Sequence, residues 1–227
     1  MMQHVLDNPV WNALISGNKI LSTGNERAKY FLKDVAPFAA LNTVTKKEWE
    51  ALYDIADPGD SFAFFSSNEI DIPQLWKVSH CTHALQMVHN RETQKKIVDN
   101  DIVALSTKDV PAMLALTKLT NPGPFLTRTI EFGNYEGIFK NGELVAMTGQ
   151  RMHPFEYIEV SAVCTHPEHT GHGYATNLIV RQIDHIRAQS SIPFLHVKKQ
   201  NTNAIKLYNA LGFSVRKEMF IYGIKKT

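Results

Sequence analysis

Residues 170–175 read Thr-Gly-His-Gly-Tyr-Ala, after an apolar stretch at 160–165 and before an amphipathic one. Ala175, Leu178, Ile179, Ile183 and Ile186 recur at helical spacing, so a helix with one buried face follows the glycines. The first N–H groups of a helix lack intrahelical partners, and its dipole favours negative charge there. Gly173 has no Cβ to stop a large anion from reaching the backbone. Strand, glycine loop and helix together make a cradle for phosphate.

Spacing separates this loop from other phosphate binders. A Walker loop needs Gly-Lys-Ser/Thr, and no lysine follows these glycines. A dinucleotide fingerprint needs a third glycine where Thr176 stands. Metal chemistry is also set aside. His80-Cys81-x-His83 alternates across a strand, which parts residue 80 from 81 and 83, and His166, His169 and His172 fall in the phosphate loop itself.

The loop resembles the acetyl-CoA loop of the GCN5-related N-acetyltransferases, Gln/Arg-x-x-Gly-x-Gly/Ala. Gly173, Ala175, the preceding His166-Pro167-Glu168 and the strand before them match, while Thr170 replaces the long first side chain. A second stretch, Asn201-x-x-Ala204-x-x-Leu207-Tyr208-x-x-x-Gly212-Phe213, is similar to the family's downstream helix and stands at the right distance. The resemblance covers residues 101–227 and is nearest the FR47-like branch. It implies the acyl-CoA N-acyltransferase fold, an α/β (α+β) mixed sheet, with acetyl-CoA as co-substrate and no metal.

The resemblance also assigns parts to residues. Val163 and Thr165 would meet the pantetheine arm through their backbone, as an added strand would. Thr170, Gly171, His172, Gly173, Tyr174 and Ala175 would hold the phosphates, with Asn201 and Tyr208 further along the cofactor. Tyr208 would protonate the departing thiolate, since a phenol of pKa about 10 stays protonated at neutral pH. Glu159, eleven positions before Thr170, stands where relatives carry a glutamate base. Glu156, Glu131 and ordered water are the other bases. Cys164 has no evident His–acid partner, so direct attack of a primary amine is expected rather than a covalent enzyme intermediate. A non-catalytic CoA-binding or regulatory module is the alternative, and Thr170 is the feature that favours it.

Over 227 residues, 44% hydrophobic and 20% charged, the composition is that of a soluble globular protein. No apolar run approaches membrane-spanning length, and the start lacks a signal-peptide pattern. Two cysteines suit a reducing compartment, so a cytoplasmic protein is expected. Net charge is +2, yet residues 181–227 hold nine Lys/Arg against two acids. That suits a CoA-like polyanion, and no basic stripe with interleaved aromatics points to nucleic acid. The acidic bias of the remainder favours a cationic amine as acceptor, either a small molecule or a peptide. Oligomeric state stays open.

Periodicity and turn residues supply the elements. Asn8-Pro9 and the Thr45–Glu48 box open two helices, and 28–32 and 61–66 read as strands. One or two more strands fall between 72 and 88. The Asp99-Asn100-Asp101 cluster divides a smaller α/β half, 1–100, from a catalytic half, 101–227. A degenerate copy of the same fold is one reading of the first half, which has no G-x-G. In the second half, a strand at 102–105, a helix to 119 and a 135–151 hairpin turning at Asn141-Gly142 come first. Strands at 156–165 and 194–198 should be parallel neighbours around the long helix. A helix at 201–211 and a strand at 213–224 close the chain.

Overall fold

A computed structural model of the chain describes residues 4–91 and 101–227. The Asp99-Asn100 part of the expected boundary lies outside the described residues. Five α-helices and eleven strands are described: β1 (Ser22–Gly24), β2 (Ala28–Phe31), β3 (Phe38–Leu41), β4 (Ser61–Ser66), β5 (Trp76–His89), β6 (Ile102–Ala104), β7 (Glu136–Lys140), β8 (Glu143–Gln150), β9 (Tyr157–Thr165), β10 (Ile192–Lys198) and β11 (Phe213–Lys226). The helices are α1 (Pro9–Ile15), α2 (Lys46–Ile55), α3 (Val110–Thr120), α4 (Tyr174–Ala188) and α5 (Thr202–Ala210). The strands form one mixed sheet in the order β1-β2-β3-β4-β11-β5-β10-β9-β8-β7-β6.

β5 joins the two ends of the chain within this sheet. It lies antiparallel between β10 and β11, pairing with both. It pairs along its whole length with the equally long β11, and two register shifts interrupt the ladder, one with the extra residue Arg216 in β11 and one with the extra residue Ser79 in β5. Two strands escaped the sequence reading. Phe38-Ala-Ala-Leu41 is buried at every position and too short to show a period, and Ser22-Thr-Gly24 is a polar edge.

Helix starts differ from expectation in their chemistry. Asn8 precedes α1, but its side chain donates to Leu41 O at 2.8 Å instead of capping the helix. Thr45 bonds the Glu48 carboxylate and makes no cap to the backbone. Asp109 does accept from Ser106 N–H, at 2.7 Å. At the β7–β8 turn, Asn141 and Gly142 have φ of 52° and 82°, the left-handed pair that a two-residue hairpin requires.

α3 and α4 cover opposite faces of β8 and β9. Met113 and Leu116 of α3 cluster with Met147 and Cys164, whereas Leu178 of α4 clusters with Ile138 and Ala146. Successive strand residues point to opposite faces, so Ala146 and Met147 serve different layers. Ile179, Ile183 and Ile186 pack on Ile158, Val160 and Leu195, which fastens α4 over β9 and β10. Each such side chain contributes roughly 1.5–3 kcal/mol when fully buried.

Candidate active site

β9 and β10 run parallel for only three residue pairs, ending at Phe194↔Glu159. Beyond that point β10 stays on β5 and β9 stays on β8, so the two strands part. A cavity of about 630 Å³ opens in the fork. Val160 to Val163 form one wall and His196 to Lys198 the other, with Asn201 and Tyr208 beside them. The edge of β9 that faces the fork has no ladder partner after Glu159, so its amides are available to an extended ligand.

A bulge shapes this edge. Met147↔Cys164 and Gly149↔Ser161 bracket a register shift, and Ala162 sits at φ 52°. An alanine in the left-handed region costs about 1 kcal/mol and persists only where its surroundings impose it. Thr148 Oγ1 donates to Ser161 O at 3.0 Å and fixes the strand just before the bulge.

Tyr208 projects from α5 onto the cavity wall, 8% exposed. Its ring stands edge-on to Phe213 at 5.9 Å, and its hydroxyl has no protein partner among the described residues. Burial pushes the phenol up to about 12, so it stays protonated at neutral pH. Asn201 starts the same helix, with its Oδ1 accepting from Ala204 N–H at 3.1 Å. Leu211 and Phe213 anchor the helix in the core beneath.

The glycine loop leaves the end of β9 through a 3₁₀ turn, Pro167–His169, and enters α4. Gly171 and Gly173 have φ of 81° and 78°, which glycine adopts at no steric cost. His172 donates from Nδ1 toward Thr170 O at 3.0 Å and stacks on Tyr174 at 5.4 Å. Residues 170–175 and Thr165 lie outside the lining of the cavity, while Val163, Asn201 and Tyr208 lie on it. Thr165 Oγ1 is buried without a partner among the described residues.

The structure resembles solved acetyltransferases over its whole length. A GNAT-family protein from Novosphingobium aromaticivorans is 32% identical, with 99% of this chain and 100% of that one covered and a TM-score of 0.91. The chain belongs to the GNAT acetyltransferase family. The FR47-like protein profile matches residues 135–221 of this GNAT chain. An L-methionine sulfoximine/L-methionine sulfone acetyltransferase of Salmonella typhimurium is 33% identical over 72 residues, 31% of this chain and 42% of that protein. The match thus spans less than half the length of that relative. A GCN5-related N-acetyltransferase from Kribbella flavida shares the fold at 15% identity and TM-score 0.62, covering 97% and 95% of the two chains.

In this GNAT chain Glu159 lies beneath the cavity rather than on its wall, with no exposed surface. Arg151 donates to both its oxygens, Nε to Oε2 and Nη2 to Oε1, each at 2.7 Å. His196 Nδ1 donates to Oε1, also at 2.7 Å. Burial alone would raise the Glu159 carboxyl, but the Arg151 guanidinium and the His196 bond bring it down to about 2. A carboxylate so held is a weak proton acceptor. Arg151, His196, Phe38 and Phe65 carried no sequence signal, because they meet only when distant strands align. Cys164 is buried, which pushes its thiol up to about 11 and leaves little thiolate for attack. Among the described residues no three His, Cys, Asp or Glu side chains group to hold a metal ion, and no helix is long and apolar enough to cross a membrane.

Proposed function

We propose that the protein transfers an acetyl group from acetyl-CoA directly to a primary amine. The observation that carries this reading is the fork between β9 and β10, with the unpartnered Tyr208 hydroxyl on its wall. Bound acetyl-CoA supplies an activated thioester carbonyl. Its amide-rich arm matches the free edge of β9 at Val163 and Thr165, and its phosphates match the N–H groups that open α4 after Gly173. Thr170 supplies no long side chain there, so the backbone carries that contact.

The chain's own groups do the rest. An amide of the bulged β9 edge stabilises charge that develops on the carbonyl oxygen. Tyr208 Oη gives its proton to the departing sulfur and is restored from solvent. Among the bases that the sequence allows, ordered water is preferred over Glu159. Glu159 is committed to Arg151 and His196, and it positions both. The Salmonella typhimurium relative acts on L-methionine sulfoximine and L-methionine sulfone, which supports a small amine-bearing acceptor. A cytoplasmic location goes with this reading.

The deciding experiment measures thiol release from acetyl-CoA against pooled amines, amino acids and peptides. Turnover with any pool establishes the transferase. CoA binding without turnover in every pool would instead identify a regulatory CoA-binding module.

A further inference from the structure

We propose that the acceptor is an apolar α-amino acid, its carboxylate held by Arg151 and its side chain laid on a wall of Phe38 and Phe65. The proposal rests on the reading of this site as an acetyltransferase. Arg151 directly follows β8 and lines the cavity with only 13% of its side chain exposed. Its Nε and one N–H of Nη2 go to Glu159, and Nη1 has no partner among the described residues. A guanidinium has five N–H donors, and Glu159 balances its charge without using them all. A planar carboxylate matches the donors that remain.

The surroundings define the rest of the acceptor. The Arg151 guanidinium lies over the Phe38 ring, 4.9 Å from its centroid. Phe65 meets Phe38 edge-on at 5.3 Å, and Ala63 and Ile221 continue this apolar wall. Among the described residues no aspartate or glutamate lines the cavity, and the fixed charges on its lining are Arg151 and Lys198. A polyamine would find no counter-charge there. The acidic bias outside the C-terminal part favoured a cationic acceptor, but none of the described acids is on the cavity lining.

The test uses the full chain with acetyl-CoA and three acceptors: L-leucine, L-leucinamide and spermidine. Leucinamide keeps the amine and side chain and loses only the carboxylate. The expected kcat/KM for leucine exceeds that for leucinamide by at least about 100-fold, because a buried donor left unpaired penalises the analogue. Arg151→Lys should narrow this ratio below tenfold. Both acceptors are read on the same variant, so any loss of folded protein cancels. A leucinamide or spermidine rate equal to that of leucine overturns the carboxylate anchor while acetyl transfer stands. If no acceptor is turned over, calorimetry on the protein–CoA complex decides. Tighter leucine than leucinamide binding retains the anchor although the transferase reading has failed, and equal or absent binding removes both.

Discussion

His196 Nδ1 lies 2.7 Å from Glu159 Oε1, bridging the point at which β9 and β10 part. Gln86 decides which atom carries the proton. Its Oε1 accepts from Arg216 Nε at 2.5 Å, so its Nε2 must be the group that meets His196 Nε2 at 3.0 Å and Leu6 O at 2.9 Å. An amide N–H can only donate, so His196 Nε2 accepts and its proton sits on Nδ1, directed at Glu159. Asp7 extends the chain by accepting from Arg216 Nη2 at 2.6 Å. Residues from the first ninety positions thereby brace the fork in which acetyl transfer is proposed.

This network predicts the response to acid. The Glu159 carboxyl sits at about 2 in the folded protein against 4.5 as its ordinary value. A depressed carboxylate stabilises the fold fully above its unfolded pKa, and that stability is lost as pH falls through the folded one. About 3 kcal/mol should therefore disappear between roughly pH 4.5 and 2. Glu159→Gln should remove this dependence and cost roughly 3–5 kcal/mol at neutral pH, because Arg151 is left buried without its counter-charge. Urea unfolding midpoints at several pH values check it. Parallel acid profiles for parent and variant would refute the assignment.

Tyr208→Phe keeps the ring against Phe213 and removes only the hydroxyl. As a general acid the hydroxyl is worth roughly 10²–10⁴-fold, so kcat should fall by that range with KM for acetyl-CoA and Tm little changed. A packing role predicts near-normal turnover, since Phe fills nearly the same volume. Steady-state kinetics under conditions where chemistry limits turnover distinguish them, and a kcat within about twofold of the parent excludes the acid role.

Gly173 offers a charge test at the head of α4. Any side chain there pays for φ of 78°, but asparagine tolerates that region best and aspartate has nearly the same shape. Gly173→Asp should bind CoA at least about tenfold more weakly than Gly173→Asn, through repulsion of the phosphates. Equal dissociation constants by calorimetry would dismiss the phosphate cradle.

The strand order predicts that residues 101–227 alone will not fold cooperatively. Removing β5 strips a pairing partner from both β10 and β11 and uncovers Phe194 and Phe213, each wholly buried in the full chain. Thermal unfolding by circular dichroism should lose its sharp transition, and a sharp one would show that β5 is dispensable.

The sequence by itself determined the local chemistry of this protein. Glycines at 171 and 173, the Asn141-Gly142 turn and the apolar spacing of α4 each act through neighbours in the chain, so their consequences were readable before any fold was known. Phe38–Leu41 gave no such signal, because a buried four-residue strand has no period to show. What tertiary structure decided was partnership. Nothing near Glu159 announces that Arg151 and His196 will both meet it, nor that β5 will cross from the first half to lie between β10 and β11. Those contacts depend on strand order and register, which are set by the whole sheet. Burial then gave the meeting groups their properties and made Glu159 the buried counter-charge of Arg151.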